Sequence, residues 1–574
     1  MILFLCTFDE ISFMKKLALL LLFSYGIVFP QFTNINIVKE IRTKDKGLVV
    51  SAHPLASEAG ARIMKMGGNA FDAAIATQLA LAVVYPQAGN IGGGGFLVGV
   101  KNNGEKFTID FRETAPGKSS RDMYVDKNGQ ANTDLSQNGH LAAGVPGSVA
   151  GFFATLKHAK LPMEQLIQPA IDLAEQGFSV TGREAALLNG QRQFFDRHNQ
   201  TKTVFQKNEP WKQGDILIQK DLAQTLKLIQ ANGEKGFYEG RTAALFSAEM
   251  KRGKGIMTEQ DLRNYKVVER KPLAFTYNEN EIVSMPLPSS GGILLAQMLK
   301  MSSFENLAQY PHNSAEAVQI MIEAERRAFA DRAEFMGDPD FISDQTQMLI
   351  SDTYLKNRWK SFNKNLATPS AEVGKIVAQP KESTETTHIS IIDKEGNAVS
   401  VTTTLNGLYG SKVVVSGAGF FLNNEMDDFS VKPGVPNMFG AVGGEANAVA
   451  PGKRMLSSMT PTIVLKNGKP YIIVGTPGGT TIPTSVYQTI VNIIDFKLDP
   501  NMAVNAPKFH HQWLPESVLA EDNLPATTVS ALEKLNYKFV NTAQIGRTEL
   551  IVIDDNGNAT AVADGRGDDS VAAE

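Results

Sequence analysis

From Pro54 to Val84 apolar residues recur at helical spacing, and Gly67-Gly68-Asn69 breaks the run into two helices. The stretch AGNIGGGGFLVGV (88–100) then leads into a hairpin closed at Asn103-Gly104, whose second strand, KFTIDFRETAP, ends at Pro116. Four consecutive glycines point to close backbone approach or a special turn, because a helix interior disfavours them. Residues 140–340 carry a mostly helical pattern. Within them SSGGILLAQML (289–299) places serine caps before an apolar helix, and residues 314–335 form an amphipathic segment rich in helix formers. Residues 362–385 turn polar, end in PKESTE, and predict an exposed loop.

Beyond that loop the texture changes. TTHISIID (386–393), a DKEGN turn and AVSVTTTL (398–405) predict a hairpin of alternating β-branched residues. TIVLKNGKPYIIVGTPGG (462–479) predicts a second, with Asn467-Gly468 at its turn. Between them, residues 432–454 are rich in glycine and proline and too long for a simple turn. Loops of that length are usually functional or disordered.

A chain of 574 residues exceeds what one compact core normally holds, so two domains or one large composite fold is expected. A formal net charge of −4 is too near neutral for a polyanion-binding surface, which argues against nucleic acid as a partner. Cys6 is the only cysteine, so no intramolecular disulfide or thiolate metal site is available. The eight histidines show no HExxH or paired spacing, and no metal is expected. The glycine run fails as a phosphate loop because no lysine with Ser/Thr follows it.

At the start, Met14 and Lys15-Lys16 precede an apolar run from Leu17 to Val28. That run is short for a bilayer span but suits a secretory signal, with cleavage plausible after Gly26. The bland alternative is a buried N-terminal helix. Residues 1–30 are therefore expected to be a signal region, and the mature protein to be periplasmic or secreted without a membrane span.

The sharpest chemical feature is the polar loop followed by Thr-Thr-His opening into a strand. Taken alone, a threonine pair there is what strand propensity selects. The same chain also holds PQAGNIGGGGF (86–96), FRETAP (111–116), NNEMDDFS (423–430), RMLSSMTP (454–461) and GTPGG (475–479). In this order, from about residue 45 to the C-terminus, these motifs resemble the γ-glutamyltransferase family of glutathione hydrolases and transpeptidases.

The resemblance implies an α+β fold, the four-layer αββα sandwich of N-terminal-nucleophile hydrolases. It implies a precursor that cuts itself between Glu385 and Thr386 into a large subunit (31–385) and a small catalytic subunit (386–574). Thr386 would be the nucleophile. Its freed α-amine, with a reference pKa of about 7.7–8.0, would serve as base. Thr404 matches the position that hydrogen-bonds the nucleophile, and Gly478 and Gly479 match the oxyanion-hole pair. Arg112, Ser457 and Ser458 match the residues that hold a γ-glutamyl α-carboxylate, and Asn406, Glu425 and Asp428 those that hold its α-ammonium. The 432–454 loop corresponds to a lid, with Phe439 where many relatives carry tyrosine. Thr481 stands where many have arginine.

Without the resemblance each site motif has a plainer reading. Arg112-Glu113 would be a surface ion pair, Asp427-Asp428 a solvated turn, and the glycine pair a strand end. His388, on the same strand face as Thr386, is expected to be structural because the α-amine already supplies the base. The implied donors are glutathione and other γ-glutamyl compounds, the acceptors water, amino acids or dipeptides, and no cofactor is needed. Two rivals stand beside this reading: an acylase of the same superfamily acting on glutaryl or other acyl amides, and an uncut, inactive exported scaffold protein.

Overall fold

The strand Thr387–Ile392 lies inside a seven-stranded antiparallel sheet. It pairs with Ala398–Thr404 on one side, Thr387 opposite Thr403, and with Leu48–Ser51 on the other. Gly94–Val100, Lys106–Asp110 and Val268–Arg270 extend the sheet one way, and Ser570–Ala573 closes its other edge. Asp393 fixes the hairpin turn by accepting the backbone N–H groups of Glu395 and Asn397, each at 2.9 Å. This computed structural model describes residues 32–33, 35–374, 386–432, 434–435, 437–438 and 443–574. The expectations attached to residues 1–30, Glu385 and Phe439 lie outside the described residues.

A second seven-stranded antiparallel sheet lies face to face with the first. Its order is Glu40–Thr43, Ala559–Ala563, Glu549–Ile553, Lys469–Gly475, Thr462–Lys466, Asn280–Ser284 and Leu273–Tyr277. Val50, Phe96, Val98, Ile463, Ile473 and Ile551 fill the space between the sheets. On its outer face the first sheet sends Ile389, Ile391, Val399 and Val401 against helices that include Ala70–Val84. The outer face of the second buries Ile472, Val474 and Leu550 against Gly291–Ser303, Ala315–Phe335 and Thr481–Ile494. The layers run helix, sheet, sheet, helix. Because every strand near the middle is covered on both faces, its β-branched run is buried throughout rather than alternating with water. Both sheets mix strands from before and after residue 386, so no boundary between separate cores falls there.

Most expected elements appear. Helices Pro54–Lys65 and Ala70–Val84 flank the glycine break, and Asn69 forms a capping box with Asp72. The Asn467-Gly468 turn has φ values of 53° and 76°. Three readings need correction. The strand expected to reach Pro116 ends at Asp110, freeing Arg112 from the ladder. Residues 268–284 contribute three strands inside the stretch read as mostly helical, joined in part by an Asn278-Glu279 turn of positive φ rather than an Asn-Gly. The helix Ala315–Phe335 is not amphipathic: Glu323, Glu325, Arg326, Arg327, Asp331 and Arg332 are all buried, with Arg327 paired to Glu323.

Candidate active site

Thr386 sits at the mouth of the inter-sheet space, only 3% exposed. Its hydroxyl oxygen lies 3.5 Å from that of Thr404 at the end of the partner strand. The Thr404 oxygen accepts the backbone N–H of Asn406 at 2.8 Å, and its carbonyl accepts the Asn90 amide at 2.9 Å. The glycine run explains how the neighbouring chain comes so close. A Cβ on Gly93 would fall on the Thr404 carbonyl oxygen, and one on Gly95 on that of Thr402. Close approach, the first of the two readings of GGGG, is what the fold uses.

Below Thr386 on the same strand face, His388 is fully buried and bonded to Thr402 Oγ1 at 2.8 Å and Ser390 Oγ at 3.1 Å. Its ring packs against Gly475 of the facing sheet. Burial lowers its pKa to about 3, so the imidazole is neutral throughout the physiological range. The ring is a strut between sheets.

The opposite end of the same cavity is charged. Arg112 Nη1 pairs with Glu425 and Nη2 with Asp428 at 2.5 Å, while Nε donates to the Met455 carbonyl at 3.2 Å. Arg112 and Glu425 are fully buried, so the surface ion-pair reading is excluded. Burial opposes the Arg112 charge, but the carboxylates around it outweigh burial and hold the guanidinium protonated. Burial pushes Glu425 and Asp428 upward, with Arg112 opposing the shift in both. Glu113, whose two oxygens have no hydrogen-bond partner, is pushed by burial up to about 8, with Arg112 opposing the shift. Asp427 is buried as well, accepting from Ser136 and from the Met438 N–H at 2.8 Å, so this turn is not solvated.

Asn406, Ser457, Ser458 and Gly479 border the cavity together with Thr386, Thr404, Arg112, Glu425 and Asp428. Gly478 and Gly479 have φ values of 141° and 58°, conformations that glycine adopts readily, and they lead into helix Thr481–Ile494. Thr481 donates its hydroxyl to the Gly478 carbonyl at 2.8 Å, which pins that turn. From the 432–454 loop, Asn437 donates to Asp428 at 3.1 Å. Gly478 borders the space behind Gly479 rather than the cavity itself. Every other candidate among the described residues lines one cavity.

The defining sequence pattern of the γ-glutamyltranspeptidase family matches residues 56–574. The chain belongs to that family. It is 44% identical to the glutathione hydrolase proenzyme of Escherichia coli (strain K12) over 96% of its own length and 94% of that protein. It is 35% identical to an acylase ACY 1 proenzyme of Pseudomonas sp. (strain V22), covering 94% of this chain and 95% of that one. Among solved structures, a cephalosporin acylase from Bacillus halodurans superposes with a TM-score of 0.80 at 26% identity, covering 96% of this chain and 98% of the other.

In this member of the γ-glutamyltranspeptidase family the cavity has Thr386 at one end and the charged cluster at the other. Arg332, Asn437, Met459, Thr480 and Ile482 also line it, and none of these was singled out from the sequence. Arg332 was hidden because the 314–335 helix carries charges at every helical phase. Among the described residues no helix is long and apolar enough to cross a membrane.

Proposed function

We propose that this chain is a γ-glutamyltransferase with glutathione hydrolase activity, made as a precursor that cuts itself before Thr386. The observation that carries the reading is one buried cavity with a hydroxyl pair, Thr386 and Thr404, at one end and charges of both signs at the other. A γ-glutamyl group presents a carbonyl to attack and, at its far end, an α-carboxylate and an α-ammonium. The cavity offers partners for each.

In the uncut chain the Thr386 nitrogen is an amide and has no basicity. Attack of the Thr386 hydroxyl on the Glu385 carbonyl moves the acyl group from nitrogen to oxygen and frees the α-amine, and water then resolves the ester. The amine now takes the proton of the hydroxyl as it attacks the donor's γ-carbonyl, and returns it to the departing amine. Gly478 and Gly479 N–H groups receive the oxyanion. Thr404 positions the nucleophile, Arg112 with Ser457 and Ser458 holds the α-carboxylate, and Asn406, Glu425 and Asp428 hold the α-ammonium. Glutathione and related γ-glutamyl compounds are the donors, and water, amino acids or dipeptides the acceptors. The interleaved strands support a large piece (31–385) and a small piece (386–574) that stay together after the cut. The leader-like residues 1–30 support export to the periplasm or beyond.

The acylase reading draws on the relatives named acylase. Against it stand two acids, the buried Glu425 and the part-buried Asp428, in a pocket where a glutaryl group brings no ammonium. A γ-glutamyl anilide should exceed the glutaryl anilide by roughly 100-fold or more in kcat/KM, since a buried polar site left unpaired rejects the analogue lacking its partner. Equal turnover of the two would hand the assignment to the acylase.

A further inference from the structure

We propose that Arg332 is a second guanidinium of the donor's α-carboxylate site, a specificity-determining residue beside Arg112; the inference rests on the γ-glutamyl reading above. Arg332 lies in the last turn of helix Ala315–Phe335, is 6% exposed, and borders the same cavity as Thr386 and Ser457. Its Nε–H donates to Ser290 Oγ at 3.1 Å. Ser290 in turn gives both its hydroxyl, at 2.7 Å, and its backbone N–H, at 2.8 Å, to the Ser457 carbonyl. The guanidinium is thereby fixed to the segment that carries the Ser457-Ser458 pair.

What separates the two arginines is how much of each is already spent. Arg112 is committed to Glu425, Asp428 and the Met455 carbonyl. Among the described residues Arg332 has only the Ser290 bond, and no carboxylate lies within 4.0 Å of it. Asp428 is the nearby charge that favours its protonation, while Arg112 opposes it. Burial pulls its pKa down to about 10, which still leaves it charged at neutral pH. Burying a guanidinium without an anion is costly unless a partner arrives.

Charge balance points the same way. Two guanidinium groups, Arg112 and Arg332, border the cavity with the carboxyl groups of Glu425 and Asp428. A zwitterionic γ-glutamyl group then enters with no net change, its ammonium beside the acids and its carboxylate beside the arginines. Without Arg332, the α-carboxylate would face an Arg112 already paired with Glu425 and Asp428. Arg332, which borders the cavity together with Ser457, supplies a second positive charge for the carboxylate.

The test uses the matured enzyme and three anilide donors: the γ-glutamyl compound, the same compound with its α-carboxylate converted to a carboxamide, and the glutaryl compound lacking the α-amine. Arg332→Gln should lose roughly 10- to 100-fold in kcat/KM on the carboxylate donor, mainly through KM. On the carboxamide its loss should stay below about 3-fold, within what an uncharged contact contributes. Arg332→Lys should recover part of the loss. Ser290→Ala, which removes only the anchor of Nε, should lose a smaller factor with the same donor selectivity, and it carries the test should Arg332→Gln fail to mature. Equal losses on carboxylate and carboxamide overturn the proposal. So does a loss that follows the α-amine, since Arg332 would then act through Asp428. A wild type that ignores both the α-carboxylate and the α-amine sinks the γ-glutamyl reading itself. A wild type that demands them while the Arg332 variants keep the same demand refutes Arg332 alone.

Discussion

The two ends of the active-site cavity are built on opposite electrostatic plans. Around Thr386 stand Thr404, the Gly478–Gly479 turn and a neutral His388. At the other end the buried Arg112, Glu113, Arg332 and Glu425 gather with the part-buried Asp428. Charge at the reacting end appears only while a bond is changing, so fixed dipoles and an amine created by self-cleavage suffice. Under the proposed function, charge at the recognition end is present in the ground state and must be met before reaction begins. Damage at the first end should therefore appear in kcat, and damage at the second mainly in KM and donor choice.

The largest effect breaks the reacting end outright. Thr386→Ala removes the hydroxyl needed both to cut the chain and to attack the donor. The protein should run as one intact band on a denaturing gel, with turnover down by roughly 10⁵-fold or to background. Wild type should give two bands, the smaller beginning Thr-Thr-His-Ile. An active wild type that stays whole would sink the self-activation mechanism.

Next comes the recognition end. Arg112→Lys replaces a planar fork by a point ammonium that cannot reach Glu425, Asp428 and the Met455 carbonyl together. KM for a γ-glutamyl anilide should rise roughly 10-fold or more, while chain cleavage persists. Steady-state kinetics on the matured variant decide it. A fall confined to kcat would contradict the division of labour between the two ends.

That division also marks what was legible in the chain before its structure. Short motifs with unusual residues could be read: the glycine run, FRETAP, the Thr-Thr-His strand and PGG all border the site or pack against it. The hairpin signals of 386–405 and 462–479 were equally plain, since their turns carry Asn-Gly or Asp-rich chemistry. Arg332 was not legible, because its helix presents charges on all sides and only tertiary packing decides which ones face a cavity. The Leu273–Tyr277 and Asn280–Ser284 hairpin was missed because its turn, Asn278-Glu279, lacks the glycine that usually announces one. The burial of Asp427 was likewise invisible, since an acidic pair in a loop looks solvated until Ser136 and the Met438 N–H are found bonded to it.

A smaller effect sharpens the claim that His388 is a strut. Its folded pKa, about 3, lies below the ordinary 6.5, so the fold favours the neutral ring. That contribution is fully present above about pH 6.5 and is lost as pH falls toward 3. His388→Gln should cost about 1–3 kcal/mol of stability at neutral pH through its bonds to Thr402 and Ser390. The acid-side decline in Tm should be shallower in the variant than in wild type. The pH–rate profile of the surviving activity should keep its shape around neutrality, and a limb that disappears with His388 would make the imidazole the base after all.

The smallest expected effect concerns the lid, where the two ends meet the solvent. Asn437 and Met438 are tied to Asp428 and Asp427, which anchors this part of the lid segment on the recognition end. The next residue is Phe439, which has aromatic bulk but no hydroxyl to bond across the reacting end. A lid without a hydroxyl at this position should admit water to the acyl-enzyme, because excluding water requires closure over the nucleophile. Hydrolysis should then dominate at neutral pH, with transfer to added glycylglycine a minor path. Phe439→Tyr should shift the product ratio toward transfer by about 2- to 10-fold, the worth of one neutral hydrogen bond, with little change in acylation of Thr386. Product analysis with and without glycylglycine measures the ratio directly. If wild type already delivers nearly all glutamyl groups to the dipeptide, a hydroxyl at position 439 is not what closes the lid, and its anchors at Asp427 and Asp428 are sufficient.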